Sequence, residues 1–283
     1  MVKLEEITSK PTFSNQLENK VLYSDHTSDI SISYSSTYTI KYVIEGEKTY
    51  RHDNQQVELS KDQFLIINNG CKITTEAKKG TKGLSFFLSK DLIKEVYQFY
   101  NIADISADFL EVAQKNSTSS TGLLLKSAAY LYANDTSAFK QQMDNLFLQL
   151  SEEIVKEQVQ VAKGFVVLNI VKTNTQKELF TQINLAKEYL NDNLEKSISL
   201  EKLSKTIGLS KYYLHRLFKE VNGSSPLVYL TQIRLNKARN YLQNSKCSIA
   251  EIGMLCGFEE PAYFSNTFKK YVGVSPIEFR LKS

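Results

Sequence analysis

The hydrophobic rhythm of the chain changes twice. From Val21 to Ser89 it is that of short strands: Ser31-Ile32-Ser33-Tyr34 alternates, Tyr38–Ile44 is rich in β-branched and aromatic residues, and Phe64–Ile67 and Leu84–Leu88 are brief apolar runs between Gly and Asn signals. Glu45-Gly46-Glu47 reads as a turn. Short strands this close together predict a small antiparallel barrel or sandwich. After Lys90 the period lengthens. Leu92, Val96 and Phe99 mark one helix and Leu123–Tyr132 another, while Phe139, Met143, Leu146, Phe147, Leu150 and Ile154 form a stripe with helical spacing. That stripe suits either a cover over the strand core or a dimer interface. A further apolar segment, Phe165–Val171, gives way to Thr173-Asn174-Thr175-Gln176-Lys177-Glu178, whose polarity reads as a linker.

The third rhythm is a repeat. Leu200, Leu203, Gly208 and Leu209 recur 49 positions later as Ile249, Ile252, Gly257 and Phe258. Leu214, Phe218, Lys219, Gly223, Ser225 and Pro226 recur 50 positions later as Phe264, Phe268, Lys269, Gly273, Ser275 and Pro276. Each copy predicts a short helix with one apolar face, a turn at Gly, and a second amphipathic helix that stops at a C-cap Gly. Ser225 and Ser275 are placed to N-cap the following helix, with Pro at its first turn. Two helices joined by a short Gly-containing turn form the helix-turn-helix pattern. Between the copies, residues 226–243 contain no interior Gly or Pro and predict a rod of about 27 Å. Such a rod holds two reading heads about one duplex turn apart, roughly 34 Å.

Charge sharpens this picture. Residues 180–283 hold 15 Lys/Arg against 9 Asp/Glu, a net of +6, whereas residues 1–179 hold 20 against 22, a net of −2. The basic surplus lies with the repeat, as phosphate binding requires. Cys71, Cys247 and Cys256 have neither disulfide nor metal-ligand spacing and read as reduced thiols. The first half offers only His26 and His52, which are isolated from each other and expected at surface or strand-edge positions. Too few ligands are present for a metal-dependent enzyme, and no nucleophile constellation or phosphate loop stands out, so neither catalysis nor a cofactor is expected. Met1–Lys10 lacks an apolar stretch of signal-peptide length, and no run is long enough to span a bilayer. The chain is therefore expected in the cytoplasm, away from membranes.

The run from Ile249 to Arg280, with YFSNTFKKYVGVSP and the terminal EFR, resembles the signature of the AraC/XylS family of bacterial transcription regulators, and RLNKARNYL at 234–242 resembles that family's connecting helix. The resemblance covers residues 181–283. It implies an all-α DNA-binding domain of seven helices with two helix-turn-helix units, and its closing residue Arg280 implies a structural ion pair. VELSKDQFLIINNGCKI is in turn similar to the cupin-like sensory domain of many members. The expected fold is thus a two-domain α+β protein: a cupin-like β-barrel with flanking helices at 1–172, which senses or dimerises, a linker at 173–180, and the DNA-binding domain at 181–283. Two departures stand out. Gly253 replaces the usual Ala, which costs up to about 1 kcal/mol of helix propensity, and Asn266 stands where Arg is frequent.

The second helix of a helix-turn-helix unit enters the major groove. With Leu214, Leu217 and Phe218 inward, the first unit presents Lys211, Tyr212, His215, Arg216 and Lys219. Arg216 is the candidate for bidentate contact with guanine, and Lys219 for a phosphate. The second unit presents Pro261, Ala262, Ser265 and Asn266, small or neutral groups, with Lys269 and Lys270 on phosphates. The units should therefore be unequal, the first reading bases and the second anchoring. The expected partners are double-stranded DNA, RNA polymerase by family resemblance, a second copy of the chain, and a small-molecule effector or a regulatory protein. A metal-free barrel lined by Tyr38–Ile44 and Phe86-Phe87 suits an apolar or neutral effector. The whole reads as a transcription activator controlled through its first half.

Overall fold

The computed structural model describes residues 2–9, 18–52, 55–100 and 108–282; Met1, Lys10 and Ser283, at the limits of segments read above, lie outside the described residues. The chain forms two compact units, Met1–Asn184 and Leu185–Ser283.

The first unit begins with strands β1 (Lys3–Ile7), β2 (Lys20–Asp25), β3 (Ile30–Ser35), β4 (Tyr38–Glu45), β5 (Glu47–His52), β6 (Gln55–Ser60), β7 (Gln63–Ile67), β8 (Lys72–Ala77) and β9 (Lys82–Leu88). A short β10 (Gln114–Lys115) joins later. They make two sheets, one ordered β1-β2-β9-β4-β7-β10 and the other β3-β8-β5-β6. Neighbouring strands are antiparallel except β1 and β2, which run parallel. No ladder among the described residues links the two sheets, so the expected closed barrel is an open sandwich instead.

The larger sheet is buried on both faces. Val43, Leu65 and Ile67 point toward Tyr50, Leu59 and Ile73 of the smaller sheet. Their neighbours Tyr42, Phe64 and Ile66 point the opposite way, into a core shared with helices α1 (Lys90–Phe99), α2 (Ser120–Asn134) and α3 (Thr136–Val167). A strand covered on two faces shows a continuous apolar run rather than alternation, which is why Phe64–Ile67 and Leu84–Leu88 stood out. The smaller sheet has a solvated outer face, and its β5, β6 and β8 carry charged and hydroxyl residues that hid them in the sequence.

Of the two readings left open for the stripe on α3, the structure builds the cover: Phe139, Met143, Phe147, Leu150 and Ile154 are buried against the larger sheet. The phase of α1 differs from expectation. Ser89 caps it by accepting from Leu92 N–H at 3.2 Å, and Ile93, Val96 and Tyr97 face the core. Phe99 falls outside that arc and is 76% exposed. The segment Phe165–Val171 is split, with Phe165 buried and Val166 and Val171 exposed. His26 and His52 are both buried, contrary to the surface positions expected of them; His52 Nδ1 lies 3.5 Å from the Glu111 carboxylate. Each occupies an inward step of its strand path, which an isolated polar residue in a sequence does not reveal.

The polar run Thr173–Glu178 starts a helix, α4 (Thr173–Asp192), that continues past the division between the units. Gln, Lys and Glu are strong helix formers, and a solvated helix has the same composition as a linker.

A buried polar knot ties the segment after β10 to the larger sheet. Tyr42 Oη donates to Asp62 Oδ1 at 3.0 Å, and Asn116 Nδ2 donates to both of them, at 3.1 and 2.9 Å. Gly122 of α2 makes this approach possible, since a Cβ there would lie 2.3 Å from the Asn116 carbonyl oxygen. Propensity alone would make Gly122→Ala stabilising by up to about 1 kcal/mol. The backbone clash reverses the sign, so Gly122→Ala should lower the stability of the first unit by about 1–3 kcal/mol. Urea denaturation of the full chain measures this, and an unchanged or raised midpoint would remove the steric argument.

Candidate nucleic-acid interface

The second unit contains helices α5 (Leu200–Ile207), α6 (Lys211–Asn222), α7 (Pro226–Asn244), α8 (Ile249–Leu255), α9 (Pro261–Val272) and α10 (Pro276–Lys282). Six described helices thus lie wholly within it, and α4 enters it at its C-terminal end.

In the first repeat, Ser199 Oγ accepts from Lys202 N–H at 3.1 Å to open α5, and Gly208 closes it in the left-handed region at φ +78°. Ser210 Oγ then accepts from Tyr213 N–H at 3.3 Å to start α6. Leu214, Leu217, Phe218 and Val221 are buried, which fixes the rotation of α6. Its opposite face presents Lys211, Tyr212, His215, Arg216 and Lys219, all exposed. Tyr213, absent from the sequence-derived set, is exposed beside them in the first turn of α6.

The second repeat reaches the same shape by different means. Ser248 and Glu251 form a capping box at the start of α8, and α9 begins at Pro261 without a side-chain cap. Phe264, Thr267 and Phe268 are buried. Pro261, Ala262, Asn266, Lys269 and Lys270 are exposed, and Ser265 is half-buried. Tyr263, 59% exposed in the first turn, was also not foreseen. Gly253 has a packing reason for lacking a side chain: a Cβ there would sit 3.1 Å from Phe264 Cδ1 and 3.3 Å from its Cβ. The loss of helix propensity is the cost of bringing α8 onto the Phe264 ring.

Helix α7 joins the repeats and supplies the core of the second. Leu235, Ala238 and Leu242 pack with Ile252, Cys256, Phe258, Phe264 and Phe268. Burial pushes the Cys256 thiol up to about 11, as expected of an inert core cysteine. The Arg234 guanidinium donates from Nε to the Leu194 carbonyl and from Nη2 to the Lys196 carbonyl, each at 2.7 Å, and lies 5.8 Å from the centre of the Phe258 ring. Nearby, Lys237 pairs with Glu195. Sequence reasoning placed Arg234 only on a connecting helix, because its partners are backbone carbonyls that carry no residue code.

Ser275 forms a capping box with Glu278 at the start of α10, whereas Ser225 occupies the N-cap of α7 without a side-chain bond. Arg280 is structural, but its bond is to a backbone oxygen: Nη2 donates to the Cys247 carbonyl at 2.6 Å. Among the described residues no helix is long and apolar enough to cross a membrane, and no group of three or more His, Cys, Asp or Glu is placed to hold a metal.

Two basic-to-neutral helix faces on paired helix-turn-helix units define a DNA-binding architecture. Comparison with known proteins agrees. A family model described as a helix-turn-helix domain matches residues 203–282, and one described as the ExsA N-terminal regulatory domain matches residues 38–131. The second unit is thus similar to the helix-turn-helix domain of AraC-type transcription regulators. The Msm operon regulatory protein of Streptococcus mutans is 40% identical over 68 residues, which make up 24% of each chain. The HTH-type transcriptional activator RhaS of Escherichia coli is 39% identical over 67 residues, again 24% of each. The match therefore spans about a quarter of the length of these curated relatives. Among solved structures, the C-terminal domain of AraT, a response regulator from Geobacillus stearothermophilus, is 32% identical with a TM-score of 0.35, covering 36% of this chain and 85% of that one.

Two left-handed glycines of the second repeat, one in its turn and one closing α9, distinguish ordinary turn strain from clamp strain. Gly273, at φ +88°, has nothing within 4 Å of a built Cβ. Gly257, at φ +81°, would place a Cβ 2.5 Å from the Leu194 carbonyl oxygen and 2.9 Å from Arg234 Nε. Gly273→Ala should cost only the left-handed penalty, about 1–2 kcal/mol. Gly257→Ala should cost at least about 1 kcal/mol more, because it also dislodges the guanidinium. Thermal unfolding of both variants checks the order, and equal losses would mean that the clamp contributes nothing.

Proposed function

We propose that the chain is a sequence-specific DNA-binding transcription regulator, an activator, with its first unit acting as the receiver of a signal. What carries the reading is the pair of helix-turn-helix units with their outward faces free of core duties: the residues that fix the rotation of α6 and α9 are all apolar or small, so every exposed polar side chain is available for DNA. The surplus of +6 on residues 180–283 supports it, since the phosphate backbone supplies most of the non-specific affinity.

Within this reading Arg216 contacts guanine, with Tyr212 and His215 beside it, and Lys211 and Lys219 flank the groove. On α9, Asn266 reads adenine weakly, Ala262 and Ser265 make close apolar or water-mediated contacts near Pro261, and Lys269 and Lys270 hold phosphates. The proposed organisation is a cupin-like sensory module at 1–172, here an open sandwich, a junction at 173–180 and a DNA-binding domain at 181–283. A small-molecule effector binds the first module. A second copy of the chain and RNA polymerase complete the assembly; exposed Leu123 and Tyr130 on α2 offer apolar surface for the former.

Binding of the full chain to its operator should fall steeply with salt, with a log–log slope of about −0.9 for each phosphate neutralised. A slope near zero would overturn the DNA reading. Against a panel of single-base operator variants, Arg216→Ala should lose about 1–3 kcal/mol and relax preference at one position, whereas Lys269→Ala should weaken all sequences alike and reduce the salt slope by about one. An unaltered preference profile for Arg216→Ala would remove it from the base readers.

A further inference from the structure

The space between the two sheets is not uniformly apolar. Lys41 on β4, Lys48 on β5 and His26 just past β2 line a cavity of about 30 Å³ there. Their relative exposures are 3%, 5% and 2%, so all three are removed from water. Lys48 Nζ donates to Ser24 Oγ at 2.7 Å, and that hydroxyl donates to the Gly83 carbonyl at 3.3 Å. The Lys41 ammonium lies 4.4 Å from the centre of the Phe87 ring and 5.2 Å from that of Tyr34. Neither ring nitrogen of His26 has a hydrogen-bond partner. Among the described residues no Asp or Glu lines the cavity.

This arrangement is expensive. Two buried lysines without a carboxylate repel one another and have lost their hydration, and a core that needed only volume would carry Met or Leu. Burial holds Lys41 well below its usual range, pushes Lys48 down to about 7 and, with help from Lys48, pushes His26 down to about 4. The missing charge has the sign and size of a small anion: a cavity of this volume takes about one or two water-sized groups. Ring contacts and one hydroxyl leave most of the six ammonium N–H donors of the lysines unused, and His26 adds one N–H.

The geometry points to a small-carboxylate site between the sheets. Both lysine side chains hold the carboxylate, and the His26 N–H donates to one of its oxygens. The inference rests on the reading of the first unit as a signal receiver, and it replaces the apolar or neutral effector expected from the sequence, because the aromatic strands of that expectation enclose two lysine amino groups. A carboxylate arriving there restores protons to the lysines, so binding takes up protons.

The test uses the full chain with sodium formate, the smallest carboxylate, against sodium chloride at equal ionic strength. A saturable rise in Tm with a carboxylate, absent with chloride, supports the site; no saturable rise, or the same rise with chloride, overturns it. Lys41→Met and Lys48→Met should weaken carboxylate binding at least about tenfold, while the ligand-free variants melt no lower than the parent. Variants that melt lower and respond to carboxylate unchanged show structural lysines and overturn the site. Operator binding measured on the same samples keeps the two readings apart. A chain that binds DNA without responding to carboxylate loses only the anion site, and one that responds to carboxylate without binding DNA loses only the regulator reading.

Discussion

Arg234 gives its guanidinium to two carbonyls, those of Leu194 and Lys196, and lies against Phe258 with Gly257 at its edge. These carbonyls belong to the segment between α4 and α5, Arg234 sits on α7, and Gly257 ends the turn after α8. One side chain therefore fixes three elements that are far apart in sequence. Charged hydrogen bonds of this kind contribute about 1.5–3 kcal/mol each, and losing the donor would strand two carbonyls in a partly desolvated site. The paired units can read DNA only if α6 and α9 keep a fixed separation, and that separation is set by α7 together with the contact it makes through Arg234.

The two units share one backbone plan and differ in surface chemistry. In both, buried residues at a spacing of three and four lock the second helix onto its partner. The freed face then carries Tyr212, His215 and Arg216 on α6 but Ala262, Ser265 and Asn266 on α9. The first set is long, charged and aromatic, and the second is small or neutral. Varying this solvent face leaves stability almost untouched, since none of these six residues contributes to the hydrophobic core of either unit.

The C-terminal unit was nearly transparent in the sequence, because its punctuation is local: Ser199, Ser210, Ser248 and Ser275 begin helices, Gly208, Gly223 and Gly273 end them, and each acts within a few residues of itself. The first unit was less legible. The strands of its doubly covered sheet announced themselves as apolar runs, but β5 and β8 carry Arg51, Glu76 and Thr74 on a solvated face and gave no signal. Barrel and sandwich share the same strand pattern, since closure depends on ladders between distant edges. The inward turn of Lys41, His26 and His52 was hidden for a similar reason. Strand alternation predicts two faces, and only the tertiary fold decides that both are covered.

The contact between Gly253 and Phe264 makes two positions behave as one. With the ring lying against the bare Cα, a methyl group at 253 forces either the ring or α8 to move by a few tenths of an ångström. The ring in turn touches Phe258 and Phe268, at centroid separations of 5.1 and 5.8 Å, so it cannot retreat without disturbing the rest of the small core. Residues that share a contact of this kind do not change independently. Ala at 253 becomes cheap only alongside a slimmer side chain at 264, and a history of substitutions through this unit has to cross both positions together or neither.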